Sequence, residues 1–137
     1  MNVLIADDHP NLTELEHLII NDFDTQKHSI YLVNNGLDAL HFLHKSGDFS
    51  RSPDIDLLFV DERMPRMSGI ELLINIKQEK YNVYPIFILL SDADYSNEMI
   101  ESFHRNGASA VMDRNRFWRR LGEVFSYWDQ FIKLPNR

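Results

Sequence analysis

Two rhythms of apolar residues alternate along the chain. Short unbroken apolar runs lie at 3–6, 30–33, 57–60, 85–90 and 110–112. Between them, apolar residues recur at helical spacing: Leu12, Leu15, Leu18 and Ile19; Leu37, Leu40, Phe42 and Leu43; Ile70, Leu72, Leu73 and Ile76; Met99, Ile100 and Phe103. Such runs predict buried strands, and such spacing predicts amphipathic helices. Turn formers separate them at Asn34-Asn35-Gly36, at Ser68-Gly69 and at Asn106-Gly107. After the fifth run, Phe117, Trp118, Leu121, Val124, Phe125, Trp128, Phe131 and Ile132 predict one long helix over about 115–134, with some aromatics left exposed as a partner surface.

Strand–helix repeated five times predicts a parallel sheet covered on both faces and joined by right-handed crossovers. A strand such as 57–60, with no polar face, needs cover on both sides. The expected fold is α/β: a flavodoxin-like (βα)5 doubly wound sheet in the order 2-1-3-4-5. With 137 residues, one domain over 1–137 is expected.

Composition narrows the function. The hydrophobic fraction of 44% is globular. A net charge of -7 repels phosphate backbones, so no direct DNA binding is expected. Arg114, Arg116, Arg119 and Arg120 form the one basic group, read as a solvated helix start. The absence of cysteine removes disulfides, thiolate metal sites and cysteine nucleophiles. No apolar run approaches the ~20 residues of a membrane span, so a cytoplasmic protein with no membrane contact is expected.

The chemistry lies where the strands end. In open α/β sheets, ligands bind beyond the carboxyl ends of the strands. Asp7 and Asp8 follow strand 1, Asp61 follows strand 3, Ser91 and Asp92 follow strand 4, and Asp113 and Arg114 follow strand 5. Singly, each has a plain explanation as a helix cap or turn former. Together they place three acids, a hydroxyl and a cation on one rim. Clustered carboxylates raise one another's pKa values unless a cation intervenes. Mg2+ suits such oxygen ligands. A carboxylate beside it, Asp61, can attack a phosphoryl group. The six histidines lack H-E-x-x-H spacing, which argues against zinc.

The segments Leu4-Ile5-Ala6-Asp7-Asp8-His9, Leu58-Phe59-Val60-Asp61-Glu62-Arg63-Met64-Pro65-Arg66-Met67-Ser68-Gly69, Ile88-Leu89-Leu90-Ser91 and Gly107-Ala108-Ser109-Ala110 resemble the receiver domain of two-component response regulators. The resemblance covers essentially the whole chain. It implies that Asp61 accepts a phosphoryl group from the phosphohistidine of a sensor histidine kinase. It implies that Asp8 and Asp61 bind Mg2+ directly, Asp7 binds through water, and the backbone carbonyl of Arg63 is a further ligand. Ser91 takes the place of the switch hydroxyl.

Three positions depart from the family pattern. Arg114 replaces a lysine, Asp92 follows the switch hydroxyl where a small residue is usual, and Val111 replaces an aromatic. An ion pair between Arg114 and Asp92 is expected from the first two. The stretch before strand 3 and the aromatic tail are similar to stand-alone regulators paired with bacterial phytochrome kinases. That narrower likeness implies a homodimer through strand 4, helix 4, strand 5 and helix 5. The expected protein is a phosphoacceptor rather than an enzyme, with output by protein contact or phosphorelay. The alternative is a receiver fold used as an interaction module without phosphorylation. A phosphatase of related topology needs an acid two residues after the nucleophile, where Arg63 stands.

Overall fold

The computed structural model describes residues 1–22, 27–79, 85–92 and 94–131. Five strands form one sheet: β1 (Asn2–Ala6), β2 (Ser29–Val33), β3 (Leu57–Asp61), β4 (Ile86–Ser91) and β5 (Ala110–Asp113). All neighbours pair in parallel, in the order β2-β1-β3-β4-β5. This is the expected flavodoxin-like fold. The helices are α1 (Leu12–His17), α2 (Gly36–His44), α3 (Gly69–Gln78), α4 (Asn97–Arg105), α5 (Arg114–Arg119) and α6 (Leu121–Phe131).

The period-two geometry of the strands divides the core. Leu58 and Val60 of β3 face one side, with Leu72, Leu73 and Ile76 of α3, Phe42 of α2 and Phe103 of α4. Leu57 and Phe59 face the other side, with Leu15 and Leu18 near α1 and Phe117, Trp118, Leu121 and Phe125 of α5 and α6. Every residue of β3 is buried, as a strand between two helical layers requires. The Phe59 ring packs at a tilt against Phe117 with centroids 4.6 Å apart, which anchors α5 beneath the centre of the sheet.

Sequence patterns place the helix starts. Asn35, Ser68, Ser96 and Asp113 each accept the backbone N–H three residues on, at Asp38, Glu71, Met99 and Arg116. Each satisfies a donor that the first helical turn leaves unpaired.

Two expectations on the helices are corrected. The first helix keeps α-helical geometry only to His17, and 18–22 continue as a wider π-type turn. The long terminal helix is two helices. Arg120 leaves helical dihedrals at φ -120° and ψ 35°, and Gly122, a poor helix former, lies just beyond. Residues 132–134 of that expected helix lie outside the described residues. Of its aromatics, Phe117, Trp118 and Phe125 are buried and Trp128 is half-buried, so the expected exposure falls instead on Tyr127.

Candidate functional site at the carboxyl ends of the strands

The sheet order brings the ends of β1, β3, β4 and β5 side by side. Asp61 was expected just past strand 3. It is instead the last paired residue of β3, opposite Leu90, and is 4% exposed. The acid therefore sits at the top of the core rather than on an open rim. Gly69 opens α3 directly against it. A Cβ there would lie 2.7 Å from the Asp61 backbone oxygen, so only glycine lets the helix approach so closely.

Asp7, Asp8 and Asp61 offer oxygens that all lie within 4.8 Å of one another. Asp7 is fully buried and its carboxylate accepts four hydrogen bonds. Oδ1 accepts from the His9 backbone N–H at 2.8 Å and from Arg114 Nη2 at 2.7 Å. Oδ2 accepts from Arg114 Nε at 3.0 Å and from the Trp118 indole N–H at 2.8 Å. Arg114 also reaches Asp61 Oδ2 at 3.5 Å and donates to the His9 carbonyl at 2.7 Å. Asp8 is partly exposed and lies 3.1 Å from His9 Nδ1.

These contacts correct the expected Arg114–Asp92 pair. The guanidinium faces inward to Asp7 and Asp61 because two carboxylates there are desolvated and need a cation more than Asp92 at the surface does. Arg114 is consequently raised further, first by its hydrogen bonds to Asp7, with Asp92 contributing only at longer range. Nor is Arg114 part of a solvated helix start, unlike Arg116, Arg119 and Arg120, which are exposed.

Burial, then the charge of Asp7, pushes the Asp61 carboxyl from 3.8 up to about 7. The Arg63 backbone N–H, 3.3 Å from Oδ1, and Arg114 oppose that shift. A carboxyl that costs this much to ionise marks a place built for added positive charge. Three hard oxygen donors in this volume fit Mg2+ or Mn2+.

Ser91 closes β4 and is 3% exposed. Beyond it, a cleft of about 420 Å³ is bordered by Ser91, Tyr95, His104 and Val111. The Tyr95 hydroxyl donates to Glu62, the residue after Asp61, and its ring meets Phe103 of α4 edge-on at 5.0 Å. Burial and the Glu62 bond raise the Tyr95 phenol.

Sequence reasoning missed Trp118 and Tyr95. Trp118 appeared only as an apolar residue of the terminal helix. Its spacing held a signal, since Arg114 and Trp118 are four residues apart and share one helix face. For Tyr95 the sequence offered none, since its contact with Glu62 depends on a loop path.

Comparison with known proteins agrees with this geometry. The response regulator receiver domain model matches residues 3–115. Response regulator Rcp1 of Synechocystis is 24% identical over 115 residues, covering 81% of this chain and 78% of that protein. Chemotaxis protein CheY-3 of Vibrio cholerae is 32% identical over 97 residues, covering 68% of this chain and 65% of its own length. The crystal structure of the Mn(2+)-bound form of Rcp1 superposes with a TM-score of 0.81 at 19% identity, over 98% of this chain and 99% of that one. The phosphorylated cyanobacterial phytochrome response regulator RcpA gives 0.78 at 17% identity, over 98% of both chains. These two structures share the fold. The chain belongs to the response regulator receiver domain family of two-component systems.

Proposed function

We propose that this protein is a phosphoacceptor whose acyl phosphate forms on Asp61. The observation that carries the reading is the convergence of Asp7, Asp8 and Asp61 within 4.8 Å around a buried acceptor. An Asp61 oxygen attacks the phosphorus of a kinase phosphohistidine. The O–P bond forms as the P–N bond breaks, and the imidazole nitrogen leaves with the electron pair and takes a proton. When bound, Mg2+ neutralises charge on the phosphoryl oxygens. Asp8 and Asp61 would hold it directly, with Asp7 through water and the Arg63 backbone carbonyl as a further ligand. Arg114 supplies a cation beside Asp61, and Ser91 supplies a hydroxyl at the neighbouring strand end.

Residues 1–137 form one receiver domain that acts in the cytoplasm, with output by protein contact or phosphorelay and without direct DNA binding. Among the described residues no helix is long and apolar enough to cross a membrane. Likeness to RcpA, named as a phytochrome response regulator, favours a phytochrome-type sensor histidine kinase as the donor. An apolar recess lined by Ile88, Ala110, Met112, Val124, Tyr127 and Trp128 lies on the β4–β5–α6 side. It supports the homodimer through β4, α4, β5 and the terminal helices.

The test is incubation with acetyl phosphate and Mg2+, followed by intact-mass measurement. A phosphoryl adduct that is lost in Asp61→Asn supports the proposal. The second reading is an interaction module that works without phosphate. It draws on the same Arg114 contacts, which already compensate Asp7 and Asp61 internally. Absence of an adduct with any donor or kinase would favour it.

A further inference from the structure

A buried tryptophan fills space and usually pairs its indole N–H with a nearby acceptor. Trp118 does that too, 4% exposed and edge-on to Phe117 at 5.2 Å. It differs in the destination of its one polar atom. The indole N–H is aimed into the acidic site and ends on Asp7 Oδ2 at 2.8 Å, both groups being buried.

The four donors on Asp7 are of two kinds. The His9 backbone N–H on Oδ1 and the Trp118 indole on Oδ2 are fixed by the chain path and by core packing. The two Arg114 donors, one on each oxygen, sit on a long side chain that is 16% exposed and borders an open cleft with His9, Asn11, Asn115 and Arg119. A carboxylate oxygen has two lone-pair sites. Each Asp7 oxygen therefore carries one fixed donor and one removable donor. If Arg114 turns away, the fixed pair still holds the plane of the carboxylate and leaves one lone pair of each oxygen available.

We propose that Trp118 is a positioning residue for the metal site: its indole N–H fixes the Asp7 carboxylate in the orientation that a hydrated divalent cation uses, while Arg114 acts as the exchangeable internal cation. This rests on the reading of Asp7, Asp8 and Asp61 as metal-binding carboxylates. Partners that orient metal-site groups from behind are commonly worth 10–100-fold in metal affinity.

The test is a titration of the full chain with Mg2+ alone, followed by 1H–15N NMR. The chain has two tryptophans, Trp118 and Trp128, so the indole signals separate. The expected result is a saturable shift of the Trp118 indole N–H that tracks the amides of Asp8 and Asp61, with Trp128 little moved. Replacing Trp118 by benzothienylalanine, which keeps the shape and lacks the donor, is expected to weaken Mg2+ binding about tenfold or more. Trp118→Phe is expected to do the same, with far-UV circular dichroism unchanged in both. An affinity within about twofold of wild type in the benzothienylalanine protein overturns the proposal. So does a stationary Trp118 indole while the Asp8 and Asp61 amides move. If none of these signals responds to Mg2+, the metal reading of the site falls, and this inference falls with it.

Discussion

Arg114 and Asp7 meet through two hydrogen bonds, Nη2 to Oδ1 at 2.7 Å and Nε to Oδ2 at 3.0 Å, joining the end of β5 to the end of β1 across the acceptor. The pair is desolvated, with the side chains 16% and 0% exposed. A buried pair of this kind is weak evidence for net stability, yet breaking it leaves an uncompensated charge. Arg114→Ala is expected to destabilise the metal-free protein by about 3–5 kcal/mol in urea unfolding. The same variant should bind Mg2+ more tightly than wild type, because no internal cation competes. Added Mg2+ should then narrow the stability gap between the two. An equal gap with and without Mg2+ would speak against Arg114 as the competing cation.

Asp61 gives a pH dependence with a definite sign. Its folded carboxyl lies at about 7 and its ordinary value is 3.8, so the folded chain holds this proton more tightly than the unfolded chain. Stability rises with pH only where the unfolded state binds more protons. The Asp61 contribution therefore falls as pH rises through this window. Asp61→Asn should remove that loss. The metal-free variant is expected to exceed wild type by about 1–3 kcal/mol at pH 8 and to match it near pH 4. Thermal unfolding across that range checks the slope.

Gly36 opens α2 under the loop that follows β3. A Cβ there would stand 2.2 Å from the Met67 backbone oxygen. Alanine normally gains up to about 1 kcal/mol over glycine within a helix. Here the clash is with backbone that cannot rotate away, so Gly36→Ala should instead lose about 1–3 kcal/mol. A variant at or above wild-type stability in chemical denaturation would show that the loop yields easily.

Tyr95→Phe removes the donor to Glu62 and keeps the ring on Phe103. A hydrogen bond to a charged acceptor contributes about 1.5–3 kcal/mol, less where water can replace it. Glu62 is only partly buried, so the expected loss is about 1 kcal/mol. A Glu62→Gln, Tyr95→Phe double-mutant cycle should show the two changes to be non-additive.

The fold was legible because the five apolar runs and the helical spacings between them have physical periods that survive in one dimension. The candidate site was legible because strand ends in a parallel sheet share an edge, so Asp7, Asp8, Asp61 and Arg114 converge once the order is known, with Ser91 at the end of the neighbouring strand. What lay beyond the sequence was the competition between partners. Arg114 had both Asp92 and the buried acids within plausible reach, and the outcome depended on relative desolvation, which periodicity does not reveal. The dual nature of Trp118 was hidden for a related reason. Helical spacing reports which face a residue lies on, not where its single N–H points. The break at Arg120 was likewise invisible, since Phe117, Trp118, Leu121 and Phe125 would suit one continuous helix.

The most direct measurement of the central claim is the position of the phosphoryl group itself. After incubation with acetyl phosphate and Mg2+, borohydride reduces an aspartyl phosphate to homoserine, which peptide mass spectrometry can locate. The account predicts homoserine at position 61, absent when Mg2+ is chelated and absent in Asp61→Asn. Homoserine at another aspartate, or none in the wild-type protein under these conditions and with a phosphorylated kinase as donor, would contradict it.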